Sequence, residues 1–171
     1  MSYSRHEIRK FAMQVLYLLD QNKVSVELDK KVELKRAREK AQEQGLEFNP
    51  DTYKYQGKYE TLSLAEVIEQ VFDNFEKSDE AIVMVNYATI NLEKIDVLLE
   101  SSLTNYSLDR LNLVDKAILR LAVSELLNKK VPNEVIINEA LELTKEFSDS
   151  GDNKAVRFNN KVLDTVLKKL N

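Results

Sequence analysis

One face of the first predicted helix carries side chains suited to binding single-stranded RNA. Residues 4–21 have helical periodicity, and apolar side chains such as Ile8 and Phe11 fall on one arc at about 100° per residue. The other arc carries Arg5, His6, Arg9, Lys10 and Tyr17. Cations of this kind bind phosphates, and planar side chains stack on bases. An ordinary solvated helix face is the alternative interpretation of the same composition.

The side chains that most catalytic centres need are scarce. His6 is the only histidine and cysteine is absent, so Ser-His-Asp triads, Cys-His pairs and thiolate metal sites have almost nothing to draw on. There is no His-Glu-x-x-His or Glu-x-x-His motif, and the glycines at 45, 57 and 151 are too scattered for a phosphate-binding loop. We therefore expect no enzymatic activity, no cofactor and no metal.

The net charge of −4 over 171 residues is unevenly distributed. Residues 62–106 hold two basic and nine acidic side chains, whereas residues 1–23 hold four basic and two acidic ones. Attraction to phosphate depends on the local surface, so the acidic total does not exclude a nucleic-acid partner. No apolar run approaches the ~18–20 residues of a membrane span, and the N-terminus does not resemble a signal peptide. These features predict a cytoplasmic protein without a membrane partner.

Hydrophobic periodicity and a low content of Gly and Pro predict an all-α fold. Ser4 is a candidate N-cap, and Glu7 three residues later completes a capping box. The predicted helices span about 4–21, 62–77, 79–103 with a break near Asn91, 109–128, 133–147 and 154–170.

Residues 24–61 form an unusual charged and tyrosine-rich segment. Its first half predicts a solvated helix, and its second half predicts a loop that is held down by its tyrosines. Such a segment is either surface decoration or, through Lys35, Arg36 and Tyr53, a further contact for RNA or for a partner protein.

Four stretches together resemble the NusB transcription antitermination family. They are "RKFAMQVLYLLDQ", "LDRLNLVDKAILRLAVSEL", "VPNEVIINEALELTKEFSD" and "RFNNKVLDTVL", in the order of the family. The resemblance implies an all-α, NusB-like bundle of about seven helices in two packed subdomains, at residues 1–90 and 91–171. It also implies binding of boxA-type single-stranded RNA together with NusE, a ribosomal small-subunit protein, within an RNA polymerase antitermination complex that supports ribosomal RNA operons.

The resemblance also assigns roles to individual residues. The implied RNA-binding residues are Arg5, His6, Arg9, Lys10, Gln14, Tyr17 and Phe158. The implied partner-binding residues are Asp115 and Lys116. Phe158 has an alternative role as a core residue that caps the last helix. His6 and Glu7 stand where arginines occur in the family, so a helical interaction scaffold with weak or non-specific RNA binding is the alternative function. An RNA-modifying enzyme is disfavoured, since the chain has no room for a catalytic domain.

Overall fold

The computed structural model describes residues 2–171, which form seven α-helices, one 3-10 turn and no strand. This confirms the predicted all-α class and the number of helices. The helices are α1 (Arg5–Glu43), α2 (Leu64–Val71), α3 (Asp79–Ile90), α4 (Leu92–Ser102), α5 (Leu113–Asn128), α6 (Asn133–Phe147) and α7 (Lys154–Leu170), with the 3-10 turn at Leu108–Arg110. No helix in this part of the chain is long and apolar enough to cross a membrane.

Helix α1 is twice as long as the sequence predicts. Its start is confirmed: Glu7 N–H donates to the Ser4 hydroxyl, and the Glu7 carboxylate accepts from the Ser4 N–H. The predicted end at residue 21 is wrong, because one helix of 39 residues, about 58 Å long, continues to Glu43. Neither Gly nor Pro interrupts residues 4–44, so the basic helix and the solvated helix are a single element.

The chain reverses at Gly45, whose φ of +66° favours glycine. The Leu46 N–H then donates to the Ala41 carbonyl at 2.9 Å, which closes the C-terminal cap of α1. The loop that follows, residues 44–62, runs back along the helix. It is called the return loop below.

Tyrosines hold the return loop to α1, as the sequence predicts. The Tyr53 hydroxyl donates to Glu33 at 2.7 Å, and the Tyr55 hydroxyl donates to Asp29. Glu33 also accepts from the N–H of Gln56. At Gly57 a Cβ atom would overlap the Tyr55 ring, so only glycine fits under this tether. The loop therefore covers one side of the second half of α1.

One continuous apolar core joins the helices. α1 packs against α2 and α3 on one side and against α5 on the other, while α6 and α7 pack on α5. The largest fully buried side chains include Ile95, Leu119 and Leu163. The break between α3 and α4 falls at Asn91, as the sequence predicts. The core runs across this point without interruption, and the division into subdomains at 90/91 stays a prediction.

Candidate nucleic-acid interface

Arg5 is the most exposed cation at the start of α1. Its side chain is 77% exposed, and Nη1 lies 3.1 Å from an oxygen of Glu80, which is itself 59% exposed. An exposed pair of this kind contributes less than about 1 kcal/mol and exchanges partners readily. Arg5 is thus free to contact a phosphate.

Arg9 lies inside the fold, so its expected exposure on the RNA face is wrong. Its side chain is 6% exposed, and Nε and Nη2 donate to the two carboxylate oxygens of Glu125 at 2.9 and 2.8 Å. Nη1 donates to the Arg5 carbonyl at 3.3 Å. Because α5 covers this side of α1, the guanidinium joins two helices instead of facing solvent.

His6 and Lys10 face the C-terminal half of α6. The two ring nitrogens of His6 lie 3.0 Å from Glu139 and 3.1 Å from Glu146. Lys10 Nζ lies 2.5 Å from the other oxygen of Glu146 and 4.9 Å from the centre of the Phe147 ring. All four ionisable side chains are about one-quarter to two-fifths exposed. We call His6, Lys10, Glu139 and Glu146 the α1–α6 charge cluster.

The charge cluster shifts the protonation of its members. Hydrogen bonds to Glu146 and Glu139 raise the pKa of His6 above its ordinary value of 6.5. The hydrogen bonds from Lys10 and then from His6 lower the pKa of Glu146. The cluster therefore favours an imidazolium, but it also places carboxylates directly on the cations that a phosphate would need.

Gln14 and Tyr17 follow Lys10 along α1, and both are half-buried. Tyr17 packs against the apolar core with part of its ring. The polar end of a tyrosine in such a position remains available to a ligand.

Phe158 lies at a surface recess rather than in the centre of the core. Its ring makes an edge-on contact with Tyr106, with ring centres 5.9 Å apart. The two rings line a recess of about 250 Å³, which Asp115 and Lys154 also line. A half-buried aromatic pair beside an exposed lysine is suited to stacking a base near a phosphate.

Asp115 and Lys116 are each 6% exposed, so their expected position on an open partner surface is wrong. Asp115 accepts from its N-cap Asn112 and, at 2.9 Å, from the buried Asn159 of α7. Lys116 Nζ lies 3.5 Å from Asp20 of α1. These bonds tie α5 to α7 and to α1, although Asp115 still reaches the wall of the Phe158 recess.

Sequence reasoning missed the acidic partners Glu80, Glu125, Glu139 and Glu146, and it missed Tyr106. The acidic residues lie on α3, α5 and α6, more than 70 positions from the cations they contact. No local spacing signals such pairs. Tyr106 precedes the 3-10 turn and could have been selected only as an exposed aromatic residue in a loop.

Seven helices around one core, with recognition side chains on the surface, define an all-α binding protein. Residues 46–168 match the model of the NusB family. The chain belongs to the NusB family.

Similar proteins agree with this assignment. Transcription antitermination protein NusB of Clostridium botulinum is 50% identical over 80 residues, which are 46% of this chain and 58% of that protein. The NusB of an Exiguobacterium species is 40% identical over 108 residues, covering 63% of this chain and 82% of that protein. The match thus spans less than two thirds of the first of these relatives.

Solved structures share the whole fold. Thermotoga maritima NusB superposes with a TM-score of 0.65 and 25% identity, over 99% of this chain and 94% of that chain. A structure of antitermination factors NusB and NusE in complex with double-stranded RNA superposes with a TM-score of 0.59 and 26% identity, over 96% of both chains.

Proposed function

We propose that this chain is a transcription antitermination factor that binds boxA-type single-stranded RNA together with NusE. It does so without catalysis, in the cytoplasm, as part of an RNA polymerase assembly that supports transcription of ribosomal RNA operons. The observation that carries the proposal is the likeness, over 96% of both chains, to a NusB that was solved with NusE and RNA.

The geometry supports two RNA-contacting regions. The first is the exposed start of α1, where Arg5, His6 and Lys10 supply cations and Gln14 and Tyr17 follow along the helix. The second is the recess of Phe158 and Tyr106 beside Lys154. Arg9 contributes by holding α1 to α5.

Asp115 and Lys116 act on the NusE side through their positions. Asp115 bonds Asn159, the residue next to Phe158, and Lys116 pairs with Asp20 of α1. Substituting either residue would move the surface around the recess, so both are proposed to shape the partner surface from beneath it.

A helical interaction scaffold is the second candidate function, and one specific observation favours it. Every cation of the first α1 turns is matched by a carboxylate, as in the pairs Arg5–Glu80 and Lys10–Glu146. Such pairing weakens the field that attracts RNA. On this alternative the chain binds NusE, and its RNA binding is weak and independent of sequence.

A fluorescence-anisotropy titration separates the two candidates. A boxA-type RNA and a scrambled RNA are titrated with the protein, with and without NusE, at two salt concentrations. The test variant is Arg5→Gln/Lys10→Gln, and the control Lys54→Gln/Lys168→Gln removes two exposed cations elsewhere. Antitermination requires that NusE tightens binding to boxA, that scrambled RNA binds more weakly, and that the test variant alone flattens the salt dependence by about 0.7 per lost contact. Equal binding of both RNAs, with NusE still bound, would establish the scaffold instead.

A further inference from the structure

The second half of α1 presents a regular exposed row of side chains. Positions 21, 24, 28, 31, 35 and 38 follow alternating steps of three and four residues, and all six side chains are exposed. This is the spacing of a helix face that packs against another helix. We call these residues the outer row: Gln21, Val24, Leu28, Lys31, Lys35 and Arg38.

The outer row lies opposite the return loop. Asp29 and Glu33, which bond Tyr55 and Tyr53, lie on the other side of the helix from Leu28 and Lys35, as does the 4% exposed Val26. The return loop therefore stabilises α1 from one side and leaves the outer row uncovered.

The outer row is divided by polarity along its length. Val24 and Leu28 are 46% and 60% exposed, and Val32 beside them is 39% exposed. The row then continues with Lys31, Lys35 and Arg38. Glu39 approaches Lys35 at 4.0 Å, with both side chains largely exposed, so this pair is weak. An apolar half thus precedes a basic half.

This division excludes a second copy of the chain as the occupant. A parallel copy would place each of the three cations opposite itself, which is repulsive. An antiparallel copy would place the basic half opposite Val24 and Leu28, so that neither half would be complemented. RNA fits poorly as well, since aliphatic side chains offer bases no stacking surface.

The geometry points to a docking site for an amphipathic helix of another protein. That helix carries apolar side chains where it faces Val24 and Leu28, and aspartate or glutamate where it faces Lys31, Lys35 and Arg38. Burial of Leu28 supplies most of the affinity, and the basic half fixes orientation and excludes basic partners.

Synthetic helical peptides test this site on the full chain. Two fluorescein-labelled peptides of three heptads each carry two leucines and three glutamates on one face, in the two opposite orders, so that either orientation is represented. A third peptide has lysine in place of glutamate. We expect one acidic peptide to bind, more weakly as salt rises, and the lysine peptide not to bind.

The variants Leu28→Glu and Lys35→Glu should each weaken the acidic peptide about tenfold. The control Lys54→Glu makes the same charge change on the return loop and should have no effect. All three positions are exposed, and equal melting temperatures would show that the fold is intact.

Three results would overturn the inference. One is failure of both acidic peptides to bind. Another is binding of an oligouridine that depends on Lys35 but not on Leu28, which would make the row an RNA track. The third is self-association in sedimentation that Leu28→Glu abolishes, which would make the occupant a second copy.

Discussion

Glu146→Gln should tighten RNA binding, because Glu146 competes with phosphate for two cations. Its carboxylate lies 2.5 Å from Lys10 Nζ and 3.1 Å from His6 Nε2. A phosphate that binds Lys10 must displace this carboxylate or remain beside it. Glutamine keeps the shape of the side chain and removes the negative charge.

The size of the effect follows from the exposure of the pair. Lys10 and Glu146 are 36% and 38% exposed, so the dielectric around them is close to that of water. Breaking such a pair costs about 0–1 kcal/mol, and repulsion between a carboxylate and a phosphate at about 4 Å costs about 1 kcal/mol more. Removing both costs strengthens RNA binding by about 1–2 kcal/mol, or roughly tenfold. Each additional phosphate contact should steepen the salt dependence by about 0.7.

The measurement is an anisotropy titration of boxA-type RNA at several salt concentrations. Glu142→Gln is a matched control, because it makes the same change on the same helix but pairs with Lys145 rather than with α1. If Glu146→Gln binds RNA no more tightly than Glu142→Gln, or if its salt slope is unchanged, then Lys10 and His6 do not contact the RNA backbone.

Three further predictions concern the fold around the site. His6 should titrate above its ordinary pKa of 6.5, and as the only histidine it gives a single set of imidazole resonances by NMR. Because folding raises this pKa, the stabilisation is complete below pH 6.5 and is lost as the pH rises through the folded value; a His6→Gln variant whose stability deficit grows with pH would contradict this. Arg9→Met should destabilise the protein by about 3–5 kcal/mol in urea unfolding, whereas adding Glu125→Leu should recover most of that loss; no recovery would mean that the two side chains are not coupled. Partial desolvation and the hydrogen bond to Asp29 raise the pKa of Tyr55 to about 12, so Tyr55→Phe should remove the highest-pH tyrosine transition in ultraviolet titration. The same variant should speed hydrogen exchange at the Lys58 N–H, which donates to the same carboxylate; unchanged exchange would show that the hydroxyl does not hold the loop.

The sequence predicted the features that depend on neighbouring residues. The capping box of Ser4 and Glu7, the break at Asn91 and the start of α6 after Pro132 all follow from local hydrogen-bonding chemistry. The all-α class follows from periodicity. The tether of the return loop was also predictable, since tyrosines in a polar segment need partners and a charged helix precedes them.

The predicted end of α1 was wrong because hydrophobic periodicity stops near residue 21 while helix propensity does not. Residues 22–43 contain no helix breaker, so the helix continues although its apolar face is lost. The return loop then buries Val26 and gives this part of α1 the tertiary contacts that a solvated helix lacks.

Periodicity determined which side chains of α1 share a face, but only the tertiary structure decided what covers each face. Arg9 and Lys10 are adjacent in sequence and are both basic. One is buried against Glu125 and the other shares Glu146 with His6, across 116 and 136 positions of chain. Asp115 and Lys116 were likewise placed correctly on α5, but α7 and α1 cover them. A helix pattern specifies angles around one axis, whereas burial and ion pairing depend on the positions of the neighbouring helices.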